Sequence, residues 1–149
     1  MPIARGSLTV ADGPLAQVRI GLSRAVQITR QQAGQTTPQP VTVAALIDTG
    51  AECTCVDQAI VNRLSLPLHT AGLTNVPGLG GLTGTLRYTA GVTLLHPSGK
   101  PGQHLIIPAI AVTALNLGSF GVEAVIGRDV LAQCILIYDG VAGTFAITY

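Results

Sequence analysis

The run Val41-Thr42-Val43-Ala44-Ala45-Leu46-Ile47 is apolar but for one threonine, and it stops at Asp48-Thr49-Gly50-Ala51. A continuous apolar run of this length reads as a β-strand buried on both faces. A carboxylate at its end, followed by Thr-Gly, is presented at the rim of a sheet. The glycine permits a sharp turn and the close approach of another backbone. Asp48 is therefore a side chain placed to meet something outside its own strand.

The sequence on either side repeats the strand theme. Leu15 to Ser23 alternates apolar and polar residues, and Val26 and Ile28 continue the period, as in a half-buried strand. Arg30 to Pro40 (RQQAGQTTPQP) is polar with Gly and two Pro, and reads as an exposed hairpin loop. Beyond the central strand, Asp57 to Leu64 (DQAIVNRL) has helical spacing with Asp57 as N-cap, and Pro67 limits its continuation. Val76 to Gly84 (VPGLGGLTG) holds four glycines between strand-like runs, Leu68 to Asn75 and Thr85 to Leu95. A long hairpin with a supple tip is expected there.

His104 to Thr113 is a further strand, with Pro108 at an edge or bulge, and Ala114 to Glu123 is a loop. Ala124 to Ile126 is a short strand leading through Gly127 into a helix over Arg128 to Cys134. Ile135 to Tyr138 and Thr144 to Thr148 close the chain as a hairpin. The expected fold class is all-β with one or two short helices, in a single domain over residues 1–149. No internal repeat or inter-domain linker interrupts it.

Composition narrows the function classes. The 149 residues are 48% hydrophobic and 10% charged with a net charge of +1, which argues against disorder. One lysine and seven arginines are scattered, so nucleic acid is not an expected partner. No stretch reaches the ~18 apolar residues of a membrane span, and Met1 to Asp12 lacks the apolar run of a secretory signal. A cytoplasmic location is expected. Cys53, Cys55 and Cys134 fit a reducing setting, and with His69, His96 and His104 they show no finger-like spacing. They read as small buried hydrophobes, and no metal or other cofactor is expected. Carboxylate chemistry has only seven residues to choose from: Asp12, Asp48, Glu52, Asp57, Glu123, Asp129 and Asp139.

Three segments in order carry a resemblance. Ala45-Leu46-Ile47-Asp48-Thr49-Gly50-Ala51 resembles the active-site loop of the retropepsin-like (retroviral-type) aspartic proteases. Pro77-Gly78-Leu79-Gly80-Gly81 is similar to that family's flap tip, and Val125-Ile126-Gly127-Arg128-Asp129-Val130-Leu131 to its Ile-Gly-Arg strand-to-helix signature. The likeness runs from about Leu15 to the end. It implies a closed acid-protease barrel with a flap hairpin. It also implies an aspartic endopeptidase in which two aspartates activate water without a covalent intermediate. With one Asp-Thr-Gly, the chain would act as a homodimer on a peptide or protein substrate, Asp48 meeting its symmetry mate on a two-fold axis.

The same resemblance assigns the other positions. Thr49 would bond across the dyad to the opposite loop and support catalysis with Gly50, which would lie against substrate backbone. Leu46, Ala51, Glu52, Leu79, Gly80 and Val125 would contact substrate, favouring apolar residues beside the scissile bond. Leu82 would add an apolar contact at the flap tip, and Glu123 falls near the same wall. Ala51 replaces a hydroxyl residue of two-lobed relatives, which moves the expected working range toward neutrality. Glu52 stands where retroviral relatives carry aspartate, so an ion pair between Glu52 and Arg128 is expected. The hairpin beyond Ile135 departs from minimal viral enzymes and is closer to bacterial and eukaryotic cellular members. The rival readings are a catalytically silent peptide-binding module and a dimerisation domain of the same fold. The intact Asp48-Thr49-Gly50 and the glycine-rich hairpin favour the enzyme.

Overall fold

A computed structural model describes the backbone of residues 1–76 and 81–149, and the side chains of all of these except 73–76 and 81–83. Ten strands form one continuous sheet: β1 (Ile3–Thr9), β2 (Gly13–Gly21), β3 (Val41–Ile47), β4 (Cys55–Asp57), β5 (Leu68–Val76), β6 (Gly81–Leu94), β7 (Leu105–Leu115), β8 (Ala124–Ile126), β9 (Ile135–Asp139) and β10 (Thr144–Thr148). The order is β5-β6-β7-β4-β8-β3-β2-β1-β10-β9, and β6 also pairs with β2. That second pairing closes β6, β7, β4, β8, β3 and β2 into a six-stranded barrel. Closure removes the edges that an open sheet would leave.

The barrel interior follows from alternation. Val43, Ala45 and Ile47 of β3 point inward with Val18 and Ile20 of β2, Ala90, Val92 and Leu94 of β6, and Ala124 and Ile126 of β8. All are buried. Each Val, Ile or Leu of this set contributes about 1.5–3 kcal/mol by leaving water. The alternate residues of β3 are Thr42, exposed, and Ala44 and Leu46, half-buried, so one face of this strand is sealed and the other partly open.

Among the described residues three α-helices punctuate the sheet. Arg24–Gln32 (α1) occupies the place where Val26 and Ile28 were expected to prolong β2. The strand ends at Gly21. Extended Ser23 redirects the chain, its carbonyl accepting the first helical bond from Gln27 N at 3.0 Å. Val26 and Ile28 are two residues apart and fit an alternating strand, but on the helix they fall on different faces, and Ile28 is exposed. Val26 packs against the core from the helix. The expected hairpin loop at Arg30–Pro40 is thus the last turn of α1 followed by an irregular connection to β3.

Gln58–Leu64 (α2) begins as anticipated, with the Asp57 carboxylate accepting from Ala59 N at 2.9 Å and Ile60, Val61 and Leu64 buried. The short helix Arg128–Leu131 (α3) follows Gly127.

The glycine-rich hairpin is built from β5 and β6, paired from Leu68 opposite Tyr88 to Val76 opposite Gly81 with a register shift between Leu68 and Thr70. Its second strand starts at Gly81, earlier than the expected Thr85. Pro108 lies where the β6–β7 register shifts between Ala90 and Val92, the expected bulge. β1 was not anticipated. It inserts between β2 and β10, burying Ala4 and Leu8. The terminal hairpin puts β9 at the outer edge with Ile135, Ile137 and Tyr138 each more than half exposed.

Candidate active site

β3 and β8 run parallel, with Leu46 beside Val125 and Ile47 beside Ile126. Asp48 extends that ladder by one bond, its N–H donating to Ile126 O at 3.0 Å. The chain then turns: Ala51 N donates to Asp48 O at 3.2 Å, and Gly50 N to Asp48 Oδ1 at 2.8 Å. The carboxylate is thereby oriented by its own loop, half-buried at the barrel rim, with Thr49 and Gly50 exposed beside it. The Thr49 hydroxyl meets no partner among the described residues. Leu46 and Val125, paired opposite each other just before this turn, are half-buried.

A second layer locks this loop to the β8–α3 junction. Thr54, buried on the segment entering β4, donates its N–H to Asp129 Oδ2 at 2.9 Å and its hydroxyl to Asp129 Oδ1 at 2.8 Å. Asp129 Oδ1 also accepts from Val130 N at 2.9 Å, and Gly127 N donates to Thr54 Oγ1 at 3.2 Å. Gly127 is required by space. A Cβ there would stand 2.5 Å from Cys53 C and 2.6 Å from Cys53 O, a backbone contact no side chain tolerates.

Arg128 N donates to Ala51 O at 2.9 Å, and its Nη1 reaches Thr49 O at 3.2 Å. The Asp48 loop is therefore fastened to the α3 entrance by backbone and buried polar bonds together.

The structure brings Asp48, Thr49, Gly50, Leu46, Ala51, Val125 and Arg128 into this one corner. It does not form the expected Glu52–Arg128 ion pair: among the described residues Glu52 is exposed and joins no salt bridge. The guanidinium turns instead to the carbonyls of Thr49 and Gly50, and Asp129 supplies the carboxylate that ties the two segments together. Leu79 and Gly80, with Gly78, lie outside the described residues, as does the side chain of Leu82. Thr54 and Asp129 were not singled out from sequence, although a carboxylate at the start of a helix is a recognisable anchor for N–H groups.

Behind the loop the two nearby cysteines interact. Cys53 Sγ lies 3.3 Å from Thr113 Oγ1, and Cys55 Sγ donates to Cys53 O at 3.5 Å. The neighbouring Cys55 side chain draws the Cys53 thiol below the ordinary thiol range, against the opposing effect of burial. Thr113 and the positive charge of Arg87 help, and the charge of Asp129 opposes. The Cys55 thiol is pushed up by its neighbour Cys53 and by burial. Among the described residues no three His, Cys, Asp or Glu side chains converge as metal ligands would. Nor is any helix among them long and apolar enough to cross a membrane.

The family model for the retroviral aspartyl protease matches residues 11–137. Among solved structures, the EIAV protease in complex with the inhibitor HBY-793 is 21% identical. It aligns over 86% of this chain and 93% of its own with a TM-score of 0.44. The retroviral protease-like domain of Ddi1 from Leishmania major is 16% identical, over 84% of this chain and 81% of its own, with a TM-score of 0.42. A comparison with curated protein sequences gives no match.

Proposed function

The chain belongs to the retroviral aspartyl protease family, and from that premise we propose that it is an aspartic endopeptidase working as a homodimer. Each protomer contributes one Asp48, and the two carboxylates share a bound water. Two carboxylates in contact do not both ionise cheaply, so the pair holds one proton between them. The ionised Asp48 takes a proton from the water as its oxygen attacks the scissile carbonyl carbon. The protonated Asp48 donates to the carbonyl oxygen, and the tetrahedral diol then collapses with proton transfer to the leaving amine. No covalent enzyme intermediate forms.

The observation that carries this reading is the placement of Asp48: a half-buried carboxylate at the barrel rim, fixed by Gly50 N at 2.8 Å and open on its far side. A lone rim carboxylate has little to act on without a mate. The exposed Thr49 hydroxyl, unpartnered among the described residues, is suited to a bond across a two-fold axis. The exposed apolar residues of edge strand β9 give a second copy a surface to cover. In this reading Leu46 and Val125 set a preference for apolar residues beside the scissile bond. Gly50, Ala51 and Glu52 line the peptide path, and the β5–β6 hairpin with Leu79 and Gly80 closes over it to exclude water.

The test is cleavage of a mixed peptide library across acidic to neutral pH, wild type beside Asp48→Asn, at several protein concentrations. Loss of cleavage in the variant, with wild-type specific activity rising with concentration, is the expected result. A stable dimer that cuts nothing would replace this reading with a silent peptide-binding module.

A further inference from the structure

β1 and β2 are neighbours for only two residue pairs, Leu8 opposite Pro14 and Thr9 opposite Gly13. Over the rest of its length β1 pairs with β10, while β2 goes on to pair with β3 and, from Val18, with β6. A fork opens between the two strands, and it holds a cavity of about 380 Å³, at the small end of ligand-binding clefts. Buried Leu94, Phe145 and Ile147 give it an apolar lining. Its charged side chains carry one sign. Arg5 and Arg19 border it, both exposed and without a hydrogen bond or ion pair among the described residues. His104 borders it too. Its Nδ1 accepts from His96 N at 3.0 Å, which leaves the proton on Nε2, and that N–H meets no partner among the described residues. No carboxylate is among the described residues that line the cavity. Asp139 shares a separate hollow with Arg5, and its Oδ1 is taken by Val141 N at 3.1 Å and Ala142 N at 2.8 Å. One wall is fixed in advance. His96 Nδ1 accepts from Ser98 N at 3.1 Å and its Nε2 donates to Ile3 O at 2.9 Å, so the β6–β7 connection is tied across the fork to β1.

We propose that this fork is a binding site for a fatty-acid-like monocarboxylate. The apolar chain takes the place of water against Leu94, Phe145 and Ile147. The carboxylate accepts hydrogen bonds at the rim from Arg5 and Arg19, whose planar guanidiniums match its two oxygens, and from the His104 Nε2–H. An uncharged chain gains nothing from either guanidinium, and a cationic one meets two like charges. The His96–Ile3 bond holds the wall in place before the ligand arrives, so little ordering is left for binding to offset. None of the residues from Asp48 to Glu52 lines the cavity.

The test is calorimetric titration of the intact protein with octanoate, beside octanol and octylammonium, which carry the same chain with no charge and with the opposite charge. The expected result is one saturable octanoate site per chain, with octanol and octylammonium weaker by about ten-fold or more. Arg19→Ala should weaken octanoate about ten-fold, the loss of a charge-assisted hydrogen bond, and leave octanol unchanged. In wild-type protein the amide and side-chain chemical shifts of Leu94, Phe145 and Ile147 should move on binding, and those of Asp48 should stay. Absence of saturable binding, octanol or octylammonium binding as tightly as octanoate, an unchanged octanoate affinity in Arg19→Ala, or shifts centred on β9 would overturn the proposal. The comparison of the three ligands on wild-type protein decides the matter even if the variant fails to fold. Every readout is binding rather than cleavage, so the site stands or falls separately from the role given to Asp48.

Discussion

Two stretches separated by three residues differ sharply in how they are held. Asp48-Thr49-Gly50 is half-buried to exposed, and its side chains make a single bond within the loop, from Gly50 N to Asp48 Oδ1. Thr54, opposite Gly127 and Asp129, is buried, and every polar atom named there is engaged. The first stretch keeps its groups available, and the second spends its groups on staying still. A carboxylate that must meet a mate and a water within hydrogen-bond reach needs both: a free face, and a loop that does not drift by an ångström. The buried polar layer supplies the second requirement without touching substrate.

Breaking the fixed side has the largest expected effect on stability. Gly127→Ala drives a Cβ into the Cys53 carbonyl and is expected to cost about 3 kcal/mol or more, or to prevent recovery of folded protein. Urea unfolding at one protein concentration measures it, and a variant as stable as wild type would show that the two segments are not clamped. Asp129→Ala leaves Thr54 N and Oγ1 without their acceptor in a buried place. It is expected to cost about 2–3 kcal/mol in the same experiment. Asp129→Asn, which keeps one carbonyl acceptor, should recover part of that loss. Equal losses in the two variants would argue that charge rather than hydrogen bonding fastens the layer.

The smallest effect belongs to Glu52. Because it is exposed and joins no salt bridge among the described residues, Glu52→Gln is expected to change stability by less than about 0.5 kcal/mol. A loss above 1 kcal/mol that Arg128→Ala does not add to would restore the ion pair and move Arg128 away from the Thr49 carbonyl.

How much of this was legible in the sequence depended on the range of the interaction. β3 and β8 were read at their observed limits because each is a short apolar run with an abrupt stop, Asp48 in one case and Gly127 in the other. Asp57 announced α2 because capping is a contact over two residues. The glycine-rich hairpin and the Pro108 bulge were readable for the same local reason. α1 was misread because Val26 and Ile28, two residues apart, continue the period of β2, and only the turn at Ser23 shows that the strand has ended.

β1 was missed because Gly6 interrupts its inward alternation. The glycine is there for a neighbour far along the chain, since a Cβ would fall 2.5 Å from the Phe145 ring. The Thr54–Asp129 bonds span 75 residues and leave no periodic trace. The Glu52–Arg128 pair came from family likeness, and the actual loop gives the arginine carbonyls closer at hand. Local chemistry thus located the candidate catalytic group, while the long-range bonds that steady it became visible only in three dimensions.

The most direct test of the central claim is peptide cleavage by wild type and Asp48→Asn, with urea unfolding of both. The carboxamide keeps an acceptor for Gly50 N, so the two proteins should be equally stable to within about 0.5 kcal/mol. Cleavage should fall by about a thousand-fold or more in the variant, because neither half of the dyad can then take the proton from water. Retained cleavage in a stable Asp48→Asn protein would contradict the account and place the chemistry elsewhere in the molecule.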